Sequence, residues 1–197
     1  MARPPGDRPP EGRAMMAGHF ALAAAVKAGQ PRTPLWALML ATQLLDVIFV
    51  ILFLAGGVEG LTDVTGGSYG EALIHAYWTH SLIGALGIAA AAAGVAGWRW
   101  GRRPGLVIGA TVFSHWLLDL LVHRADLPIL PGNAGDLPLL GLGLWRTPWA
   151  SAAVELALVL TGAVLYLRSA RRHGVDRRWA FTTAALLLLI LAVDVAS

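Results

Sequence analysis

Long apolar stretches, each about the length of a membrane-spanning helix, alternate along this chain with short polar or basic segments. A helix needs about 20 apolar residues to cross the roughly 30 Å hydrocarbon core of a bilayer. The pattern predicts five full spans, at residues 35–57, 78–98, 105–123, 148–167 and 179–195. Residues 14–29 are helical in pattern but too short to cross, so we expect this helix to lie in the interface or to insert part way. The predicted fold is an all-α, polytopic membrane helical bundle.

The two ends of the chain differ in composition. Residues 1–13 contain four prolines and three arginines, which predicts a disordered tail, and residues 14–197 then form a single transmembrane helical domain. With 56% hydrophobic and 14% charged residues, the chain is too apolar for an ordinary soluble fold. It has no cysteine, which excludes disulfides and thiolate metal ligands.

The positive charges lie in short clusters between the apolar stretches. They occupy residues 27–32, 99–103 and 168–178, whereas the segment around Glu59 is acidic. Because such clusters do not form one basic face, they favour a topological role over nucleic-acid binding. The positive-inside rule predicts that these basic loops are cytoplasmic and that the C-terminus lies outside. We expect tryptophans such as Trp116 and Trp145 to belong to an interfacial belt.

Three ionisable residues interrupt the third predicted span. His115, Asp119 and His123 recur every four residues, which places them within one narrow arc of a helix. Histidine and carboxylate on one stripe are typical of a metal site.

Further ionisable residues lie in the neighbouring spans. Asp46 and Glu155 lie within the first and fourth spans, and His75 and His80 flank the start of the second. Each ionisable group near the centre of a bilayer costs about 2.5–3.5 kcal/mol to insert, so such residues usually have a function. Imidazole and carboxylate donors without thiolate suit zinc, manganese or iron, with room for more than one ion.

Two functions other than metal-dependent catalysis are compatible with the same residues. A chain of His, Asp and Glu is also what a small transporter or permease uses as an ion path. A closed ligand set without an open position would indicate a structural metal. If the site is catalytic, we expect hydrolysis, with Asp119 or Glu155 as general base where it is not a ligand.

Several of these residues occur in motifs that resemble a known family. Gly18-His19, the Asp46 of Gln-Leu-Leu-Asp, His75-x-x-x-Thr-His80-Ser and Ser-His115-x-x-x-Asp119 are similar in order and spacing to the YdjM-like family of bacterial inner-membrane proteins, which is classed as metal-dependent hydrolases. The resemblance covers roughly residues 17–125. Here one carboxylate, Asp46, stands where the family often has two.

The resemblance implies a distant relation to the superfamily of zinc-dependent phospholipase C and the fungal zinc nucleases. The implied cofactor is a divalent metal, most simply zinc, with one to three ions. The implied ligands are His19, Asp46, His75, His80, His115 and Asp119, while His123 and Glu155 are added on position alone as candidate catalytic residues. The expected protein is a multi-pass protein of the bacterial inner membrane that hydrolyses a phosphoester or lipid-like substrate at the outer face, with membrane lipid as its partner.

Overall fold

The computed structural model describes residues 16–56, 59–62 and 73–196, so the predicted tail at residues 1–13 lies outside the described residues. The described chain forms seven α-helices and one short antiparallel hairpin. The helices are α1 (Met16–Gly29), α2 (Leu35–Thr42), α3 (Leu44–Leu54), α4 (Leu82–Trp100), α5 (Arg102–Val122), α6 (Pro148–Arg172) and α7 (Arg177–Ala196), and strand β1 (Gly60–Thr62) pairs with β2 (Leu73–His75).

The number of spans is smaller than the sequence predicts. In the described residues, α4, α5 and α6 are long and apolar enough to cross a membrane, and α2 with α3 makes a fourth span if the bent pair counts as one. The prediction of five spans is therefore wrong. The two helices meet at Gln43 with a bend of 55°, so residues 35–57 are not one straight helix. The described part of α7 is not among these helices. Its apolar residues lie between Arg177 and Arg178 at its start and Asp194 near its end, and this apolar stretch is short for a membrane span.

The short helix α1 lies inside the bundle and packs against α2, α5, α6 and α7. Its Ala17, Ala21 and Ala24 are completely buried. Small side chains let neighbouring helices approach closely, and a side chain at Gly162 of α6 would collide with the carbonyl of Ala21. Of the two placements left open for residues 14–29, the structure therefore favours insertion.

Contacts along α1 and α6 show that the two helices run in the same direction. Gly18 meets Glu155 near the start of both helices, and the hydroxyl of Ser169 donates to the carbonyl of Ala28 near their ends. The basic residues that follow Ala28 and Ser169 therefore share one end of the bundle.

α1 runs antiparallel to α5. His19 stacks on His115 at one end of the pair, while Gly29 and Val107 line one cavity at the other. The start of α5 consequently lies beside the end of α1. We call this part of the bundle the basic end; its segments are residues 27–32, 99–103 and 168–178.

Candidate metal centre

Five of the predicted metal ligands meet toward the end of the bundle opposite the basic end. Oδ2 of Asp119 is 3.1 Å from Nε2 of His115 and 3.4 Å from Nε2 of His80. Oδ1 of Asp119 is 3.4 Å from Nε2 of His19. Oδ1 of Asp46 is 3.3 Å from Nε2 of His80 and 3.6 Å from Nε2 of His115. We call these five residues the His/Asp cluster.

Four separate segments supply the cluster. His19 lies near the start of α1, Asp46 in the first turn of α3, and His80 directly before α4, while His115 and Asp119 lie one turn apart on α5 as their spacing predicts. His115 is about 20 Å from the start of α5, at 1.5 Å per residue. The cluster therefore lies within the apolar part of the bundle.

The bend between α2 and α3 fixes the ring of His115. A helix leaves its last carbonyls without intrahelical partners, and the Thr42 carbonyl at the end of α2 accepts a hydrogen bond from Nδ1 of His115. A ring nitrogen that donates to a carbonyl carries the hydrogen. In the neutral ring, Nε2 then has its lone pair free and directed at the two aspartates.

A buried carboxylate fixes the ring of His80 through a threonine. Oε1 of Glu59 accepts from the backbone N–H of Thr79 at 2.8 Å and from its hydroxyl at 2.9 Å. Since that hydroxyl gives its only hydrogen to Glu59, it accepts from Nδ1 of His80, which is 2.9 Å away. The neutral ring of His80 then also presents a free Nε2 to the cluster. We call this chain of contacts the Glu59 relay.

A buried tryptophan supports the same segment. Nε1 of Trp116 donates to the backbone carbonyl of His80 at 2.8 Å. Trp116 is 3% exposed, so the expectation that it belongs to an interfacial belt is wrong. Its position on α5, one residue after His115, ties the loop before α4 to the helix that carries two members of the cluster.

The spacing of the donor atoms fits a metal ion. Ligand atoms 2.0–2.1 Å from a tetrahedral ion lie about 3.3 Å apart. The five contacts in the cluster measure 3.1–3.6 Å, longer than the roughly 2.7–2.9 Å typical of charged hydrogen bonds. Two triads of ligand atoms lie close enough to hold an ion: His19, His115 and Asp119, and Asp46, His80 and His115. The donor set and its spacing therefore suit a divalent metal.

The cluster is enclosed except on one side. The side chains of His19, His80, His115 and Asp119 are at most 7% exposed, whereas that of Asp46 is 47% exposed. Asp46 is therefore the member of the cluster that faces the surface of the described chain.

His123 lies outside both triads and pairs with a residue that the sequence did not indicate. It follows α5, and its Nδ1 lies 3.0 Å from Oδ1 of Asp126. Its ring centroid is 4.4 Å from that of Trp145. Burial lowers the pKa of His123, but the hydrogen bond with Asp126 and the negative charge of Asp119 outweigh it, and the pKa is raised above its ordinary value.

Glu155, a residue of α6, also lies outside both triads. Its carboxylate lies at the start of α1. Its Oε1 accepts from the backbone N–H of Gly18 at 3.1 Å, and Oδ2 of Asp194 accepts from that of Ala17 at 2.8 Å. The first backbone N–H groups of a helix lack intrahelical partners, and carboxylates are favoured at this positive end. Glu155 therefore holds the helix that presents His19.

His75 belongs to neither of the two triads. It ends β2, and its ring lies edge-on to Tyr77 with the centroids 5.3 Å apart. The structure thus brings five of the six predicted ligands together, whereas His75 is a member of neither triad.

Sequence reasoning missed the residues that orient the ligands. Glu59, the carbonyl of Thr42 and Asp126 each hold a histidine, yet none has a sequence signal that links it to its partner. Glu59 lies about 20 positions before His80 in a polar loop, and a backbone carbonyl is invisible in any sequence. The Thr79-His80 pair was the one available cue.

The fold and the cluster together define a multi-pass helical membrane protein with a buried His/Asp group that is able to hold a metal ion. The model of the YdjM inner membrane protein family matches residues 11–197. The chain belongs to this family of inner-membrane proteins. Comparisons with curated proteins and with solved structures gave no match.

Proposed function

We propose that this protein is a metal-dependent hydrolase embedded in the inner membrane, with His19, Asp46, His80, His115 and Asp119 as its metal ligands. One observation carries the proposal: three imidazole Nε2 atoms from three segments converge on two carboxylates at metal-ligand spacing. In two of these rings, the other nitrogen is already held by a partner that leaves Nε2 free to bind.

The shared histidine favours a single ion. Both triads include His115, and the neutral ring of this residue has one nitrogen with a free lone pair. One lone pair binds one ion, so the two triads are alternative positions for a single ion rather than two sites filled at the same time. We therefore narrow the expected stoichiometry to one divalent ion per chain.

The residues around the cluster have distinct roles in this proposal. A bound divalent ion would act as a Lewis acid on a phosphoryl or acyl oxygen and generate a nucleophile at neutral pH. The exposed side of Asp46 admits the substrate. His123, oriented by Asp126, follows the end of α5 four residues after Asp119 and serves as the general acid or base. Glu155 has a positioning role for α1 instead of the catalytic role expected from its sequence position.

The substrate assignment follows from the position of the cluster. If the basic end is cytoplasmic by the positive-inside rule, the cluster lies toward the outer leaflet and the C-terminus outside. A site there, open beside the apolar face of α3, favours a lipid-like phosphoester. Exposed Val50, Ile51 and Leu54 form that face.

The number of donors supports a second candidate function, a structural metal. If all five donors closed around one ion, they would saturate a four-coordinate ion such as zinc, whereas a six-coordinate ion would keep one position for substrate. A transport function has less support, because Thr111 is the only buried polar side chain of α5 between His115 and the basic end.

Elemental analysis of the purified and metal-loaded protein tests the proposal. We expect one transition-metal ion per chain in the parent and in His173→Ala, which removes an exposed imidazole at the basic end, and loss of the ion in His115→Ala and Asp119→Ala. If the parent cannot be loaded, the metal site is refuted. Hydrolysis of phosphoester lipids by the loaded parent, lost in Asp119→Ala, is the expected activity. Full metal occupancy without hydrolysis, combined with a cobalt-substituted spectrum that added phosphate leaves unchanged, would favour the structural role.

A further inference from the structure

A groove between α2, α4 and α5 opens on the outer surface of the bundle, away from the His/Asp cluster. α4 and α5 pack tightly through Gly105 and Gly109 of α5, and α2 packs on α1 and α5. The groove has a volume of about 660 Å³, within the usual range of small-molecule sites of about 300–1,000 Å³. Apart from Arg99, its wall is made of apolar side chains, among them Leu40, Val95, Ile108 and Val112.

The groove has the depth of one membrane leaflet. Its wall on the α2 side covers the eight residues of α2, about 12 Å at 1.5 Å per residue, and continues to Pro34 before the helix and to Leu44 after the bend. The hydrocarbon core of a bilayer is about 30 Å thick, so each leaflet contributes half of that thickness. The groove therefore matches the length of one acyl chain that enters from the surface.

The mouth of the groove lies at the basic end of the bundle and carries basic and aromatic side chains. Arg99 lies in the wall, and Trp36 meets Trp100 edge-on with the ring centroids 5.8 Å apart. Arg102 and Arg103 follow directly, and the sequence has no Asp or Glu between positions 72 and 118. Among the described residues no carboxylate forms an ion pair with Arg99. The counter-ion of Arg99 is therefore not one of the described carboxylates.

We propose that the groove binds one acyl chain of an anionic phospholipid, with the lipid phosphate on Arg99. Tryptophan and arginine at the mouth lie where headgroups lie, and basic pockets between transmembrane helices are typical sites for anionic lipid. The apolar wall alone would accept any lipid tail, whereas the arginines select a negative headgroup. Lipid binding in the groove does not require a metal ion in the cluster.

The deep end of the groove touches the helix bend. Ala41 and Leu44 line it, and they flank Thr42, whose carbonyl orients His115. An acyl chain bound in the groove fills the space next to this segment and supports the bend. The lipid site thereby contributes to the stability of the segment that orients one ligand of the cluster.

Native mass spectrometry of the full chain in detergent tests the proposal, with dioleoyl phosphatidylglycerol and dioleoyl phosphatidylcholine as competing probes. We expect the parent to retain phosphatidylglycerol preferentially. Arg99→Gln should lower this retention about fivefold, as one arginine near a membrane surface contributes about 1 kcal/mol. Arg172→Gln removes an exposed charge at the same end but outside the groove, and it should leave retention unchanged.

A second variant tests the groove itself. Val95 is 68% exposed, so Val95→Trp fills the groove without disturbing the core, and it should lower the retention of both lipids. Equal retention of the two lipids by the parent would refute the headgroup assignment. Equal effects of Arg99→Gln and Arg172→Gln would indicate general surface charge, and unchanged binding by Val95→Trp would place the lipid elsewhere. Each of these results overturns the proposal.

Discussion

Replacing Thr79 by valine removes one hydroxyl from the Glu59 relay and leaves every member of the His/Asp cluster in the chain. Valine matches threonine in shape, and the backbone N–H of position 79 still donates to Glu59. What is lost is the acceptor for Nδ1 of His80. Thr79 is 2% exposed, so water has little room to replace the hydroxyl.

Two arguments set the size of the expected effect. Loss of a group that orients a metal-binding histidine lowers metal affinity by about 10–100-fold. Independently, a buried donor left without a partner costs about 1–3 kcal/mol, and about 1.4 kcal/mol corresponds to a factor of ten. Both arguments predict that Thr79→Val binds the metal one to two orders of magnitude more weakly than the parent. We expect the stoichiometry of binding to remain at one ion.

Competition with a chromophoric chelator in detergent or nanodiscs measures this affinity. Thr79→Ser keeps the hydroxyl and should bind within a few-fold of the parent. Thr183→Val removes a comparable hydroxyl, which donates to the Trp179 carbonyl on an exposed face of α7, and should change nothing. If Thr79→Val binds metal as tightly as Thr79→Ser, the relay does not orient His80.

Three further predictions address the elements around the cluster. Gly162→Ala should lower stability by about 1–3 kcal/mol in thermal unfolding, because its new methyl collides with α1, whereas Gly94→Ala has open space and should be tolerated. Glu155→Ala should leave the buried N–H of Gly18 unpaired, which destabilises α1 and lowers metal affinity in the chelator assay. Glu155→Gln, whose amide oxygen still accepts from this N–H, should keep most of the stability and most of the metal affinity. The raised pKa of His123 in the folded state means that its ion pair with Asp126 stabilises the fold below about pH 6.5 and is lost as the pH rises through the folded-state pKa. Asp126→Asn should therefore lower the melting temperature at acidic pH and converge with the parent at alkaline pH, and a deficit that grows with pH would contradict this sign.

The sequence was most informative where one helix carries the signal. The four-residue spacing of His115 and Asp119 placed both on one face of α5, and the structure has them on that face. His123 follows the same spacing, but the helix ends at Val122 and His123 turns to Asp126 instead. Periodicity predicts a shared face only as far as the helix continues.

The bend between α2 and α3 had no comparable signal. Sharp kinks usually occur at proline or glycine, and Thr42-Gln43 is neither. The apolar run from 35 to 57 therefore predicted one straight span, and the break that turns Asp46 toward the cluster stayed hidden. Contacts between distant segments, such as the one from Glu59 to Thr79, depend on the tertiary fold and were equally out of reach.

Charge balance explains why such a cluster is tolerable in an apolar bundle. Asp46 and Asp119 together bring two negative charges, and buried charge is strongly unfavourable unless it is compensated. The Thr42 carbonyl and the Glu59 relay accept hydrogen bonds from Nδ1 of His115 and His80, so in the neutral rings the lone pairs lie on the Nε2 atoms that face the carboxylates. One divalent cation would cancel both carboxylates and accept those lone pairs at the same time. Three imidazoles from three segments converge on two carboxylates, and two of the rings already have their other nitrogen engaged, which is the arrangement typical of metal-binding histidines and therefore favours a metal centre.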